Sequence, residues 1–139
     1  MDSSQHVRFF LENQPETLSP GDSHRLVLRL EMDPDWHVMA NPASMEFLIP
    51  TQLRFPDTPA AIIEGPEYPE GDDFSVDALD KSVKVYKETV EIPFTLRISE
   101  DASPGRHRVA GTLQVQACDD SVCLAPSTLP VEFAFRVDE

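Results

Sequence analysis

Four stretches of this chain alternate apolar and polar residues with a period of two, and that pattern constrains the fold more tightly than any other feature. From His24 to Met32, Leu26, Leu28, Leu30 and Met32 share one face while Arg25, Arg29 and Glu31 share the other. Successive side chains of an extended backbone point to opposite sides, so this is the pattern of a half-buried strand. It recurs in Val90, Ile92, Phe94, Leu96 and Ile98 against Glu91, Thr95 and Arg97. It recurs again in Val109, Leu113, Val115 and Ala117 against Arg108, Thr112, Gln114 and Gln116, and in Val131, Phe133, Phe135 and Val137 against Glu132 and Arg136. Shorter candidates run from Val7 to Leu11, Trp36 to Met39, Thr51 to Phe55, Ala61 to Glu64 and Val83 to Tyr86. Together they predict about eight or nine strands.

Turn signals separate these strands. Ser19-Pro20-Gly21-Asp22, Asp33-Pro34-Asp35, Asn41-Pro42 and Ser103-Pro104-Gly105 combine a proline that presets φ with residues that tolerate tight turns. The 13 prolines leave no long window with helical period. Short strands with one apolar face and frequent turns predict an all-β chain: two packed antiparallel sheets in an immunoglobulin-like β-sandwich, as a single domain. The disulfide that joins distant strands in antibody domains has no counterpart, because both cysteines fall in one loop.

A chain of 139 residues can bury a proper core without help from disulfides. Its 25 acidic against 11 basic residues give a formal charge of -14, which repels nucleic acid and anionic lipid, leaving solubility or steering toward a basic partner as the roles of the charge. No apolar run approaches the roughly eighteen residues that span a bilayer. Met1 to Gln5 has neither a charged nor an apolar leader region, so no signal peptide is expected there.

Chemistry concentrates in Ala117-Cys118-Asp119-Asp120-Ser121-Val122-Cys123-Leu124-Ala125-Pro126, which holds the chain's 2 cysteines. If these thiols join, the ring is so short that loop entropy yields only about 2 kcal/mol, a poor staple. A polar, exposed loop of this kind suits a redox couple that opens and closes. The strand period carries Cys118 into register with Gln114 and Gln116, facing it away from the core. Asp119 and Asp120 disfavour thiolate, and no basic residue in the loop opposes them, so exchange would depend on a partner's reactive thiolate. A metal site would need more ligands than two thiolates, and His24, His37 and His107 lack a ligand-like spacing to them. No cofactor is expected.

Trp36-His37-Val38 followed by Asn41-Pro42, Pro50-Thr51, Tyr68-Pro69, Val85-Tyr86, Ile92-Pro93, Ala102-Ser103-Pro104-Gly105, Gln116-Ala117-Cys118 and Cys123-Leu124-Ala125-Pro126 resembles the N-terminal periplasmic domain of the bacterial thiol:disulfide interchange protein DsbD. The likeness runs from about residue 7 to 137, taken as the ordered core of a domain spanning 1–139 and cut from a larger membrane protein. It implies a monomeric periplasmic thiol:disulfide oxidoreductase domain with a redox-active Cys118/Cys123 pair. Cys123 would attack and Cys118 would resolve. Electrons would come from a membrane-embedded domain of the same polypeptide, which also carries a thioredoxin-like domain. They would pass to thioredoxin-like periplasmic proteins such as disulfide isomerases and cytochrome c maturation factors. The resemblance also implies a cap loop, matched by Asp72, Asp73 and Phe74, that shields the cysteines until a partner docks. Pro66, Pro69 and Gly71 read as loop-forming, and Phe74 reads as a ring that covers something. Ser75 to Asp80 is longer than the family pattern, while Val115 and Leu124 stand where aromatic residues are frequent. Two other readings stay open on the residues alone: an immunoglobulin-like binding module with an inert loop disulfide, and a copper- or zinc-binding domain that uses both thiolates.

Overall fold

A computed structural model of the chain describes residues 2–77, 79 and 81–138. The strands are β1 (Val7–Glu12), β2 (Thr17–Leu18), β3 (Ser23–Met32), β4 (His37–Met39), β5 (Gln52–Arg54) and β6 (Ala61–Glu64). They continue with β7 (Asp72–Ser75), β8 (Ser82–Lys87), β9 (Thr89–Ile98), β10 (Gly105–Val115), β11 (Ala117–Cys118) and β12 (Ser127–Val137). A short 3-10 turn, Ser3–His6, precedes them. Three 4-stranded sheets result, ordered β1-β3-β9-β6, β2-β12-β10-β5 and β11-β4-β8-β7. All pairings between them are antiparallel except that of β12 with the two-residue β2.

The alternating stretches became the long strands. Leu26, Leu28 and Leu30 of β3, with Ile92, Phe94, Leu96 and Ile98 of β9, are buried from one side. Val109, Leu113 and Val115 of β10, with Val131, Phe133, Phe135 and Val137 of β12, are buried from the other. The two faces belong to one core, with Phe94 of the first sheet 6.2 Å from Phe133 of the second and Phe55 wedged beside both. This is the expected β-sandwich, whose stability comes from apolar area removed from water. Gly111 permits the close approach of β5, since a Cβ there would lie 2.3 Å from the Arg54 carbonyl oxygen.

The third sheet positions the cysteines. One of its faces gives Val38, Tyr86 and Ala117 to the main core. The other carries a second, smaller cluster of Met39, Leu48, Val76, Val83, Val85 and Cys118, against which Met45, Phe74, Leu79 and Cys123 pack. One expectation changes here, and another lies partly outside the described residues. The segment at Asp72–Ser75 is a strand paired with β8, although it is too polar to show alternation. The longer segment from Ser75 onward includes Ala78 and Asp80, which lie outside the described residues.

Candidate functional site

The cysteine loop is a tight hairpin. Cys118 and Cys123 bridge each other as antiparallel partners and are joined by a disulfide with S–S 2.06 Å and Cα–Cα 4.0 Å. The Asp119 N–H donates to the Val122 carbonyl at 2.9 Å, and the Leu124 N–H donates to the Ala117 carbonyl at 2.8 Å. Asp119 Oδ1 accepts from the N–H groups of Ser121 and Val122, both at 2.8 Å. Those bonds, from Val122 first, hold its carboxyl below the usual carboxylate range. Asp119 therefore folds its own loop, a role its sequence position beside the thiol did not indicate.

Register explains where each sulfur sits, and it corrects one expectation. Cys118 does point to the face opposite Leu113 and Val115, as the period requires, but that face is not open to solvent. Strand β10 ends at Val115, and after Gln116 the chain joins a different sheet by pairing with β4. There the second cluster covers Cys118, which is 0% exposed, whereas Cys123 is only partly buried. Asp120, Ser121 and Val122 at the hairpin tip are exposed.

Several residues without any motif hold the hairpin in place. Ser3 is fully buried: its Oγ accepts from the Ala117 N–H at 2.8 Å and donates to the Ala125 carbonyl at 2.7 Å. Gln116 uses Oε1 to accept from the Ile49 N–H at 2.9 Å and Nε2 to donate to the Leu124 carbonyl at 3.2 Å. Neither residue advertises this in sequence, because each bond spans elements that only the fold brings together.

The structure separates the three cap residues. Phe74 packs against the cluster holding both cysteines and stacks on His37 with ring centroids 3.9 Å apart. Asp72 and Asp73 are exposed, and Asp73 pairs with Lys84 Nζ at 3.0 Å across the register. Its charge is thus spent on the face opposite Phe74 and raises the Lys84 pKa. The segment after β7 is tied to the cysteine loop by the Asp77 N–H, which donates to the Asp120 carbonyl at 2.8 Å.

His37 is the functional candidate that spacing missed. It stands directly opposite Cys118 in the β4–β11 pair, and with Trp36, Asp35 and Asp120 it lines a groove of about 590 Å³ beside the hairpin. Burial lowers its pKa; the Cys118 backbone and Asp35 push the other way, and Lys87 adds to the lowering. Among the described residues no group of 3 or more His, Cys, Asp or Glu is placed to hold a metal ion. No helix of the described residues is long and apolar enough to cross a membrane.

A β-sandwich presenting a two-cysteine hairpin on a covered sheet face is the architecture of a thiol:disulfide interchange domain. The family model described as "Thiol:disulfide interchange protein DsbD, N-terminal" matches residues 8–134. The chain belongs to that family. It is also similar in structure to the N-terminal periplasmic domain of ScsB from Proteus mirabilis, with a TM-score of 0.61 and 18% identity, over 94% of this chain and 48% of that one. The chain thus spans about half the length of that structure, and at this identity the likeness speaks to the fold. A family 123 glycoside hydrolase from Clostridium perfringens matches with a TM-score of 0.49 and 8% identity, over 95% of this chain and 27% of that one, too remote to bear on fold or function. Among curated proteins none matches the chain.

Proposed function

We propose that the chain is a periplasmic electron-relay domain, a thiol:disulfide oxidoreductase whose Cys118/Cys123 pair cycles between disulfide and dithiol. The observation that carries the reading is the unequal burial of the two joined cysteines: Cys118 is 0% exposed, while Cys123 is only partly buried. An exchange couple needs one sulfur that a partner can reach and one that closes the cycle from within.

In the reduced state the Cys123 thiolate attacks a sulfur of the partner's disulfide. A mixed disulfide forms and the partner's other sulfur leaves as thiolate. The Cys118 thiolate then attacks Cys123 Sγ, the mixed disulfide breaks, and the partner departs with both electrons and, after protonation, as a dithiol. The acceptors are thioredoxin-like periplasmic proteins, including disulfide isomerases and cytochrome c maturation factors. The electrons return from a membrane-embedded domain of the same polypeptide, and the domain works as a monomer. Phe74 acts as the shield, with Asp72 on its side of β7 at the rim of the docking face, whereas Asp73 is engaged with Lys84 on the opposite side.

The test is trapping. Cys118→Ala should accumulate a mixed disulfide with a thioredoxin-like protein, and Cys123→Ala should trap none; equal trapping by both variants would reverse or remove these roles. The reduction potential separates the relay from an inert structural bond, which should lie below about -300 mV.

A further inference from the structure

Acidic groups around the hairpin have visible employment: Asp119 holds its own loop, Asp120 Oδ1 accepts from the Ser121 hydroxyl at 3.2 Å and Asp73 pairs with Lys84. One ring nitrogen of His37 does not. Its Nδ1 is buried without a hydrogen-bond partner, and its ring is stacked on Phe74, which packs against the cluster that contains Cys118. Directly opposed residues of an antiparallel pair send their side chains to the same face, with Cβ atoms about 4.5–5.5 Å apart. The burial pattern agrees with that rule. Val38 and Ala117 are paired and face the main core, so their neighbours His37 and Cys118, also paired, face the cysteine cluster together. An imidazole and the inner sulfur are therefore neighbours on one sheet face under one aromatic cover.

Building on the relay reading, we propose that His37 is the proton acceptor that turns the Cys118 thiol into the thiolate that closes the disulfide. A buried thiol beside Asp119 and Asp120 is poorly ionised, so the resolving step needs a base from outside the loop. The proton of Cys118 Sγ passes to the neutral ring of His37, and the Cys118 thiolate attacks Cys123 Sγ. The bond between Cys123 and the partner breaks, and its electron pair leaves on the partner's sulfur, which is protonated by the imidazolium or by water. Two electrons leave the pair and reduce the partner, with no other co-reactant.

The charged and titratable groups around the ring come from every neighbouring element. Lys87 lies opposite it on β8, Asp35 precedes β4, Asp119 and Asp120 come from the hairpin, and Asp72 shares a face of β7 with Phe74. His6 stacks on the adjacent Trp36 at 3.8 Å. Burial outweighs the acidic members of this set and keeps the ring neutral at neutral pH, as an acceptor must be.

Dithiobis-nitrobenzoate reads the step directly. Reduced protein should release one thionitrobenzoate as Cys123 is modified, and a second as Cys118 displaces it. In the wild type the second rate should fall only below the ordinary histidine range, near about pH 6.5, and be level above it. His37→Phe keeps a ring against Phe74 but no base. Its second phase should be slower by on the order of 100-fold at pH 7 and should climb with pH toward the wild-type rate beyond about pH 8.5. His37→Gln should behave alike. Superimposable pH profiles for the wild type and both variants would overturn the proposal. A purely structural His37 would instead change both phases by a common factor at every pH. Should neither variant fold, the wild type still decides: its His37 ring resonances should show an alkaline step in the reduced protein that Cys118→Ala abolishes, and the lack of that step would sink the idea. The relay reading fails separately, when Cys118→Ala traps no thioredoxin-like protein whatever these profiles show.

Discussion

Phe74 shows how much one side chain can decide. Its ring is partly buried, stacked on His37, and in contact with the cluster that contains both cysteines. Stacking and burial of such a ring supply roughly 1–2 kcal/mol, which in the proposed shielding role is what must be given up to bare the disulfide. Phe74→Ala should therefore speed reduction by a small dithiol about tenfold, with a stability loss of about 1–2 kcal/mol, and Phe74→Leu should fall between. Stopped-flow reduction alongside urea denaturation checks both, and an unchanged reduction rate would show that the ring covers nothing kinetically relevant. That Phe74 packs against something was legible from a solitary aromatic in an acidic stretch, but its contact with His37 was not. Two residues 37 positions apart in the chain meet only because β8 pairs with both β4 and β7 and so sets them in one sheet.

Among the elements, legibility follows burial on one face. Strands β3, β9, β10 and β12 alternate over ten or eleven residues each and were readable from period alone. The two-residue β2 and β11 offer no period to read, and β7 has a single apolar side chain, so its strand character comes from pairing with β8. The same limit misplaced Cys118: parity fixed its direction correctly, while the cover on that side came from a separate sheet. The N-terminal turn was overlooked for a related reason. Ser3 is a small polar residue with no motif, yet it links β11 to the chain after the hairpin through 2 hydrogen bonds of its hydroxyl. Ser3→Ala strands the Ala117 N–H in the core and should cost about 1–3 kcal/mol. Chemical denaturation gives that value, and amide exchange at Ala117 and Cys118 should accelerate with it. A loss below about 0.5 kcal/mol would mean that water or a backbone shift replaces the hydroxyl.

For the molecule as a whole, the question is whether the disulfide holds the sandwich together. The main core is built from the first two sheets and the inner face of the third, and neither cysteine belongs to it. Both lie in the smaller cluster, at the end of a sequence separation of 5. Closing so short a ring removes little freedom from the unfolded chain, worth about 2 kcal/mol, against the 5–15 kcal/mol typical of a domain. Reduction should accordingly leave the sandwich folded and lower its Tm by about 5–10 °C. The loss should be local: amides of β11 and the hairpin should exchange faster in the reduced protein, while those in the middle of β9 and β10 keep the protection of the oxidised form. Calorimetry with and without reductant, paired with hydrogen exchange, separates the two possibilities. A protein that unfolds on reduction would make the bond a structural staple. One that loosens only around Cys118 and Cys123 has the property an electron carrier needs, since its scaffold is then the same in both oxidation states and the free energy of exchange is set at the hairpin.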